Sequence, residues 1–226
     1  MSTNRLADTR ILVTSADDYM GPAIVELFGS EGADVVADHD PLIDPDAPAR
    51  LIESAGRLDA IIINLDLAAY GPKLTEIEDD RWLAGFDAMV HPLMRVVRAA
   101  APAMIEAGTG SMVALTSSSP LRRMKPHATP YVTARAAQNA FVRSAGHELA
   151  GHGVRLNAIA QNFVANDTYY PPELMQNERF LARLDREVPA KRLGEGSETA
   201  ELALFLASQA SSFIFGQVIS QDGGWS

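Results

Sequence analysis

The sequence predicts an α/β protein, a single domain built on a doubly wound parallel sheet. Short apolar runs of β-strand length alternate with stretches of helical apolar spacing, and short turns connect them along most of the chain. This alternation is typical of a parallel sheet covered by helices on both faces. The chain has 226 residues, 47% of them hydrophobic, and contains no internal repeat or low-complexity tract. We therefore expect residues 1–226 to form one domain around one substantial core.

The first half of the chain predicts a β-α-β unit followed by a third strand. Strands are expected at residues 11–14, 33–37 and 58–64, each from a short apolar run. A helix begins near Gly21, with apolar residues at helical spacing behind it. The loop 40–49 contains three prolines and leads into a short helix that ends near Ala55.

The second half predicts a long helix and then alternating strands and helices. Residues 79–107 have helical spacing, with a kink expected at Pro92 and a stop at the glycines of residues 108–110. His91, alone beside that proline, is expected to pack or cap rather than react. The remaining elements follow in order: strand 111–115, a helix with Pro130 in its first turn that ends near Ala150, strand 154–159, helices 173–187 and 199–208, and strand 216–220.

Composition excludes several classes of function. The formal net charge of −10 argues against a nucleic-acid partner, because phosphate binding needs concentrated lysine and arginine. The chain has no cysteine, which excludes disulfides, thiolate metal sites and a cysteine nucleophile. We find neither a signal-peptide core nor an apolar run long enough to span a membrane, so a cytoplasmic location is expected.

Three side chains in residues 115–135 form a predicted proton-transfer site. Ser118 follows a predicted strand, where open α/β sheets build their sites, and Tyr131 and Arg135 lie four residues apart at the start of the predicted helix. That spacing places phenol and guanidinium on one helix face. An unperturbed tyrosine titrates at about pH 10, so a tyrosine acting as a base near neutral pH needs a neighbouring cation. The pattern Tyr-x-x-x-Arg is common in helices, however, and by itself indicates little.

The serine, followed by Tyr-x-x-x-Arg, resembles the catalytic pattern of the short-chain dehydrogenase/reductase family, in which the last residue is lysine. Arginine at position 135 is similar instead to the halohydrin dehalogenases, relatives of those reductases that use Ser, Tyr and Arg and no nicotinamide. The resemblance spans essentially the whole chain and implies a Rossmann-like fold. It implies that Ser118 orients the substrate hydroxyl and that Tyr131 takes its proton. Ser118 has the family's usual spacing of thirteen residues to Tyr131, whereas Ser117 would need one inserted residue and stays an alternative.

Two cofactor-binding turns of the reductases are altered here. Residues 14–21 retain only the last glycine of the phosphate-binding loop, and Ser15, Tyr19 and two aspartates bring side chains and negative charge to that turn. Residues 63–66 replace the second turn. A dinucleotide is therefore not expected to fit. The resemblance implies that Tyr19 fills part of the lost nicotinamide site and lines a halide pocket, although Tyr19 could also simply pack on the sheet.

The loop after the fifth predicted strand is a second candidate site. Consecutive backbone N–H groups in a turn can bind a small anion, and aromatic neighbours can shield that anion from water. The loop could instead just cover the core. The resemblance implies a halide site here with a substrate pocket beside it, made of these residues: Gln161, Asn162, Phe163 and Val164 at the anion, and Tyr169 or Tyr170 at the substrate.

Together these features predict a cofactor-independent halohydrin dehalogenase. It would convert vicinal haloalcohols to epoxides with release of halide, and would open epoxides with small anions such as azide, cyanide or nitrite. No metal or nicotinamide is expected, and the resemblance implies a homotetramer. Two alternatives stay open: an NAD(P)-dependent reductase with an atypical phosphate loop, and a non-catalytic family member. The Asp-Gly-Gly of residues 222–224 matches the common ending of the reductases, and Ser226 follows shortly after it.

Overall fold

A computed structural model of the chain contains one six-stranded parallel sheet in the order β2-β1-β3-β4-β5-β6. It describes residues 4–67, 69, 71–122 and 127–226, so residues 123–126 of the predicted proton-transfer stretch lie outside the described residues. The strands are β1 (Arg10–Val13), β2 (Asp34–Ala37), β3 (Ala60–Asn64), β4 (Gly110–Ser117), β5 (Val154–Gln161) and β6 (Val218–Gln221). The predicted doubly wound parallel fold is confirmed.

Helices cover both faces of the sheet. In chain order they are α1 (Gly21–Ser30), α2 (Ala47–Ala55), α3 (Asp79–Gly85), α4 (His91–Ala107), α5 (Thr129–Ala150), α6 (Glu178–Glu187) and α7 (Gly196–Ala207). Short 3-10 turns occupy Leu74–Glu76, Ser119–Leu121, Pro172–Gln176 and Gln209–Ser211. None of the described helices is long and apolar enough to cross a membrane.

The central strands are buried along their whole length, as expected for a parallel sheet with two covered faces. Helices α1 and α7 pack with one face in a cluster that includes Phe28 and Leu204. Helices α4 and α5 cover the other face, in a cluster that includes Val96 and Val142. Strands β4 and β5 pair in register up to Ser117 and Gln161. Their carboxyl ends therefore place the two predicted candidate loops side by side.

The long helical segment is irregular where the sequence predicts a kink. Residues Phe86–Val90 form one π-helical turn between α3 and α4, and Pro92 follows in the first turn of α4. Proline lacks an N–H and its ring crowds the carbonyl of the residue four positions earlier, so a regular α-helical turn cannot continue there. The irregularity is thus a widened π turn just before Pro92 rather than a bend at that residue. A left-handed Gly108 ends α4.

Candidate active site

The site lies in a cavity of about 370 Å³ at the carboxyl ends of β4 and β5. Parallel α/β sheets build ligand sites at this edge because loops from several strands meet there. Most of the residues predicted from the sequence line this cavity: Tyr19, Tyr131, Gln161, Asn162, Val164, Tyr169 and Tyr170. Ser118, Arg135 and Phe163 are not among the described lining residues.

Arg135 is fully buried beneath the cavity and packs against Tyr131, the predicted base. Its Cζ lies 5.3 Å from the centroid of the Tyr131 ring. Pro130 is in the first turn of α5, so Tyr131 and Arg135 share one face of that helix. Arg135 Nη1 donates to the Leu115 carbonyl at 3.1 Å and to Gln138 Oε1 at 2.9 Å, and Nη2 donates to the Tyr169 hydroxyl at 3.4 Å. Arg135 Nε has no hydrogen-bond partner among the described residues.

Among the described residues, the ionisable neighbours of the Arg135 guanidinium are phenols rather than carboxylates. Burial alone would lower the pKa of this guanidinium, but the neighbouring phenols of Tyr131, Tyr169 and Tyr19 raise the pKa above its ordinary value. A buried cation without a carboxylate favours the anionic form of a neighbouring acid. Burial raises the pKa of Tyr19 and of Tyr169 well above the ordinary value. These two side chains therefore stay neutral phenols at neutral pH.

Gln138 connects Arg135 to the π turn. While its Oε1 accepts from Arg135, its Nε2 donates to the Met89 carbonyl at 2.9 Å. Met89 lies within the π-helical turn, where the regular hydrogen-bond ladder of the helix is interrupted. Gln138 is itself buried, and both the oxygen and the nitrogen of its amide are hydrogen-bonded. Gln138 was not predicted as a site residue from the sequence, although it lies on the same helix face as Arg135, three residues later.

The structure places Ser117, not Ser118, at the cavity. Strand β4 continues through Ser117, and Ser118 then adopts helical backbone angles as the cap of a 3-10 turn. The two side chains therefore point in different directions. Ser117 lines the cavity, and its Oγ accepts the Ser119 N–H at 3.0 Å and lies 3.2 Å from the Gln161 carbonyl. The Ser118 hydroxyl is fully buried, without a hydrogen-bond partner among the described residues.

We therefore propose Ser117, the alternative that the sequence leaves open, in place of Ser118 as the serine of the candidate site. Thirteen-residue spacing favours Ser118, but Ser117, fourteen residues before Tyr131, is the serine that lines the same cavity as Tyr131. The extra residue is the single insertion that the alternative required.

Tyr169 links the loop after β5 to the loop after β3. Its hydroxyl donates to the Leu67 carbonyl at 2.6 Å and accepts the Leu67 N–H at 3.1 Å, in addition to accepting from Arg135. Its ring lies edge-on to Tyr19, with centroids 5.4 Å apart, and 6.1 Å from the Tyr131 ring. Three tyrosines thus lie around the guanidinium of Arg135. Tyr19 is held by ring packing, and the Tyr169 hydroxyl is held by hydrogen bonds to Leu67.

The predicted anion loop is largely occupied by its own hydrogen bonds. Asn162 N–H donates to the Gln221 carbonyl at 3.3 Å, and Phe163 N–H donates to Asn162 Oδ1 at 3.0 Å. The Tyr170 hydroxyl also donates to Asn162 Oδ1, at 2.6 Å. A halide would therefore have to displace Asn162 Oδ1 to reach the Phe163 N–H. Val164 lines the cavity directly.

The side chains of Gln161 and Phe163 each make a contact that the sequence does not predict. Gln161 Nε2 donates to Thr199 Oγ1 at 2.5 Å, which ties the end of β5 to α7. Phe163 has a positive φ of 53°, is buried, and stacks on Tyr170 with ring centroids 5.3 Å apart. Its ring also packs 6.0 Å from Trp225. The Phe163 side chain therefore supports the wall of the cavity from behind instead of facing the predicted halide.

Several lining residues were not identified from the sequence. Asn166 shapes the loop, because its Nδ2 donates to the Val164 carbonyl and its Oδ1 accepts the Tyr169 N–H, both at 2.7 Å. Asparagine is a common turn residue, and this was the available signal. The others come from distant segments of the chain: Ala69, Ser119, Thr168, Leu174, Phe180 and Arg183. Among all the described lining residues, Arg183 is the only one with a formal charge at neutral pH.

The turn after β1 is closed by internal hydrogen bonds. The N–H groups of Ala16 and Gly21 donate to the Asp38 and Asp18 carbonyls, both at 2.8 Å. Asn64 Nδ2 donates at 2.9 Å to two carbonyls of this turn, those of Ser15 and Asp18. Tyr19 adopts a positive φ of 54°, and its ring reaches the cavity. Among the described residues, no group of three or more acidic, histidine or cysteine side chains could hold a metal ion.

Comparison with known families identifies the group to which this chain is related. Residues 45–226 match the family described as enoyl-(acyl carrier protein) reductase. The chain belongs to the short-chain dehydrogenase/reductase family. Its parallel sheet agrees with that membership, as do Ser117 at the carboxyl end of β4 and Tyr131 in the first turn of α5.

Similar members of the short-chain dehydrogenase/reductase family carry oxidoreductase names. The chain is 29% identical to a 3-oxoacyl-[acyl-carrier-protein] reductase of Thermotoga maritima, over 97% of this chain and 98% of the relative. It is 32% identical to the galactitol 2-dehydrogenase (L-tagatose-forming) of Cereibacter sphaeroides, over 95% of this chain and 84% of the relative. These relatives are of nearly the same length, so the likeness covers the whole domain.

One solved structure of similar overall shape has a different description. It is described as a dehalogenation enzyme, is 30% identical, and covers 98% of this chain and 99% of its own, with a TM-score of 0.91. A 3-oxoacyl-[acyl-carrier protein] reductase with bound NAD from Brucella melitensis is 24% identical and covers 99% of this chain and 93% of its own, with a TM-score of 0.87. At that identity the second likeness supports the fold alone.

Proposed function

We propose that this member of the short-chain dehydrogenase/reductase family is a halohydrin dehalogenase that works without a nicotinamide cofactor. Its substrate would be a vicinal haloalcohol, and its products an epoxide, a halide ion and a proton. The observation that carries this proposal is Tyr19, whose ring enters the cavity beside Tyr169 and occupies space next to Tyr131. The family resemblance implies that the reductases use this space for the nicotinamide ring.

The residues of the phosphate-binding turn do not fit a dinucleotide. A pyrophosphate is held by backbone N–H groups of a bare glycine turn at a helix N-terminus. Here the N–H groups of Ala16 and Gly21 donate within the protein, and Asp17 and Asp18 are exposed at the same turn. Their negative charges would repel a phosphate. We therefore assign no step of the reaction to a nicotinamide.

The proposed reaction is a proton transfer coupled to an intramolecular displacement. Ser117 donates a hydrogen bond to the substrate oxygen, and the Tyr131 phenolate, stabilised by the buried Arg135, takes the hydroxyl proton. The resulting alkoxide attacks the neighbouring carbon, so that a carbon–oxygen bond forms while the carbon–halogen bond breaks and the halide leaves with the electron pair. Both reacting groups belong to one molecule, so orientation contributes much of the rate. Tyr131 then releases its proton to solvent.

Arginine suits this role better than lysine. The guanidinium stays charged when it is buried and offers donors in several directions. In the part of the chain that the structure describes, those donors contact a carbonyl, an amide and a phenol, so the cation is held there without a carboxylate that would neutralise it. The likeness to the solved structure described as a dehalogenation enzyme supports the proposed reaction. The cytoplasmic location and homotetrameric assembly expected from the sequence are part of the proposal.

The test is release of halide from a simple bromohydrin without added nucleotide. Purified protein should release bromide and form epoxide in equal amounts, and Tyr131→Phe protein should not. The second candidate is an NAD(P)-dependent reductase, which the names of the two curated relatives above favour. Calorimetric binding of NADH or NADPH at micromolar concentration, together with no bromide release, would support that candidate instead.

A further inference from the structure

We infer that Asn139 on α5 is a positioning residue, which holds Ser117 in place for the reaction. Its Nδ2 donates to the Ser117 carbonyl at 3.1 Å, and its side chain is buried. Asn139 is not among the described residues that line the cavity, so its effect on the substrate passes through the serine. The inference rests on the proposed function for the reaction in which Ser117 takes part, whereas the contact itself does not depend on that reaction.

Helix α5 carries Asn139 beside the proposed base and its cation. Tyr131, Arg135 and Asn139 follow one another at intervals of four residues, and all three are buried. Residues four apart on a helix are neighbours on its surface. Arg135 donates to the Leu115 carbonyl of β4, and the amide of Asn139 donates to the last carbonyl of that strand. The helix that supplies the base therefore also holds the strand end that supplies the serine.

The hydrogen bond from Asn139 fixes the peptide group at which β4 ends. The oxygen of this peptide belongs to Ser117 and accepts from Asn139. Its N–H belongs to Ser118 and donates to the Gln161 carbonyl at 3.0 Å. A peptide group is planar, so bonds to both its oxygen and its hydrogen fix its rotation relative to the neighbouring residues. Without Asn139, the described contacts would hold this peptide through its N–H alone.

The orientation of that peptide determines where the Ser117 hydroxyl points. The Ser119 N–H donates to Ser117 Oγ at 3.0 Å, which closes a turn of side chain and backbone around the peptide. Ser117 Oγ also lies 2.8 Å from Ser119 Oγ and 3.2 Å from the Gln161 carbonyl. A rotation of the peptide would move the Ser119 N–H away from Ser117 Oγ. The hydroxyl that faces the cavity would then lose its fixed direction.

The contact can be removed without disturbing another described hydrogen bond of Asn139. A carbonyl oxygen only accepts hydrogen bonds, so Nδ2 rather than Oδ1 of Asn139 must face Ser117. Asn139 Oδ1 has no hydrogen-bond partner among the described residues. Leucine is branched at the same carbon as asparagine but has no donor. Asn139→Leu therefore removes one hydrogen bond of the described part of the chain and keeps the side chain buried.

The first test is a double-mutant cycle between positions 139 and 117. Asn139→Leu should lower kcat for bromide release about tenfold and leave KM within about twofold, because a loosely held serine permits binding but orients the reacting oxygen poorly. Asn139→Ala, which also lacks the donor, should behave in the same way. In protein that already carries Ser117→Ala, Asn139→Leu should lower kcat by no more than about twofold. Fully additive losses would mean that Asn139 acts without Ser117 and would overturn the inference.

The matched control is Ser111→Ala. Ser111 lies on the same strand, at the end away from the cavity, and its buried hydroxyl donates to the Leu206 carbonyl at 2.8 Å. Its loss should lower the thermal midpoint but leave kcat and KM within about twofold. Equal losses of kcat in Ser111→Ala and Asn139→Leu would assign both effects to a general loosening of the sheet, and the inference would then be wrong.

A second arm reads the position of Ser117 without turnover. Crystal structures of the wild-type protein and of Asn139→Leu are compared at the peptide between residues 117 and 118. The variant should show this peptide rotated and the hydrogen bond from the Ser119 N–H to Ser117 Oγ broken. An unchanged Ser117 in the variant overturns the inference. If the wild-type protein releases no bromide, the proposed function fails, and this comparison still decides whether Asn139 positions the serine.

Discussion

At the scale of single residues, the unusual feature is a fully buried guanidinium that has phenols for neighbours. Burying a charge is costly unless compensating groups surround it. Around Arg135 the compensation comes from a carbonyl, an amide and the phenols of Tyr169 and Tyr131, and the Tyr131 ring also lies against the guanidinium. No carboxylate is among these partners, so the guanidinium remains a cation beside the proposed base.

Tyr131→Phe should abolish most of the activity without unfolding the protein. The substitution keeps the ring against Arg135 but removes the proposed base, and a general-base step typically contributes about 10²- to 10⁴-fold. Bromide release should fall by about that factor, and the thermal midpoint should change little. A folded Tyr131→Phe protein with near wild-type turnover would remove Tyr131 as the base.

Substitutions of the two serines should differ in their effect on kcat. Ser117→Ala should lower kcat about 10²-fold or more, because a hydroxyl that orients the reacting oxygen acts mainly in the transition state. Ser118→Ala should leave kcat within about twofold and stability unchanged or slightly increased, since removing a buried hydroxyl that has no partner among the described residues relieves a cost. Parallel kinetics and melting curves for both variants decide between them. If Ser118→Ala alone lost activity, the geometric assignment would be wrong.

At the scale of elements, the π turn and helix α5 together determine where Arg135 lies. The turn offers the Met89 carbonyl to Gln138, and Gln138 in turn accepts from Arg135. A regular helix would satisfy that carbonyl within its own ladder. An irregularity that is visible in the sequence only as Pro92 therefore contributes to the site through a residue on another helix.

Gln138→Glu tests this connection through its pH dependence. A carboxylate 2.9 Å from Arg135 would neutralise part of the charge that favours the phenolate. The pH–rate profile should move to higher pH, with lower activity at neutral pH that recovers in alkaline solution. Gln138→Met is the control, because it removes the hydrogen bonds without adding charge and should lower kcat with a smaller shift. Identical profiles for Gln138→Glu and wild type would argue against the connection.

A second element-scale prediction concerns the start of α7. Glu198 accepts the Glu195 N–H at 2.8 Å in a capping box, and both its oxygens pair with Arg192. The hydrogen bond from Arg192 and then the one from the backbone lower the Glu198 pKa to about 2. Its stabilising effect is therefore fully present above the unfolded-state pKa of about 4.3 and is lost as pH falls toward 2.

Glu198→Gln should lower the thermal midpoint by about 2–4 °C at pH 7, which corresponds to losing one helix cap and a solvent-screened ion pair, together about 1 kcal/mol. The difference between variant and wild type should shrink at pH 3. Calorimetric melting at the two pH values measures this. A difference that is equal at both would mean that the carboxylate charge does not contribute.

At the scale of the whole molecule, the outer surface near the edge strand β6 carries apolar side chains. Phe213 is 96% exposed, and Phe205 on α7 is partly exposed. Edge strands and exposed aromatic residues are common at interfaces between subunits. The homotetramer expected from the family resemblance agrees with this surface. Light scattering should give about four times the chain mass of 24.3 kDa. Phe213→Ser should weaken that assembly, and a monomeric wild-type protein would contradict the prediction.

The sequence alone determined the fold and predicted most of the residues that line the candidate site. Buried apolar runs identify parallel strands because a strand covered on both faces must be apolar throughout, and this holds for β3, β4 and β5. Tyr131 and Arg135 could be paired because helical periodicity places residues four apart on one face. Tyr19 could be recognised from the sequence because it stands where the reductases have a glycine in the phosphate-binding turn.

Only the tertiary structure decided which serine faces the cavity and which distant residues complete the site. A strand reverses its side-chain direction at every residue, so a single extra residue before α5 exchanges Ser117 for Ser118, and spacing in the sequence cannot detect this. Gln138 meets Met89, and Arg183 meets Phe163, across packed elements. Such contacts depend on how helices lie against the sheet, and local periodicity carries no information about that arrangement.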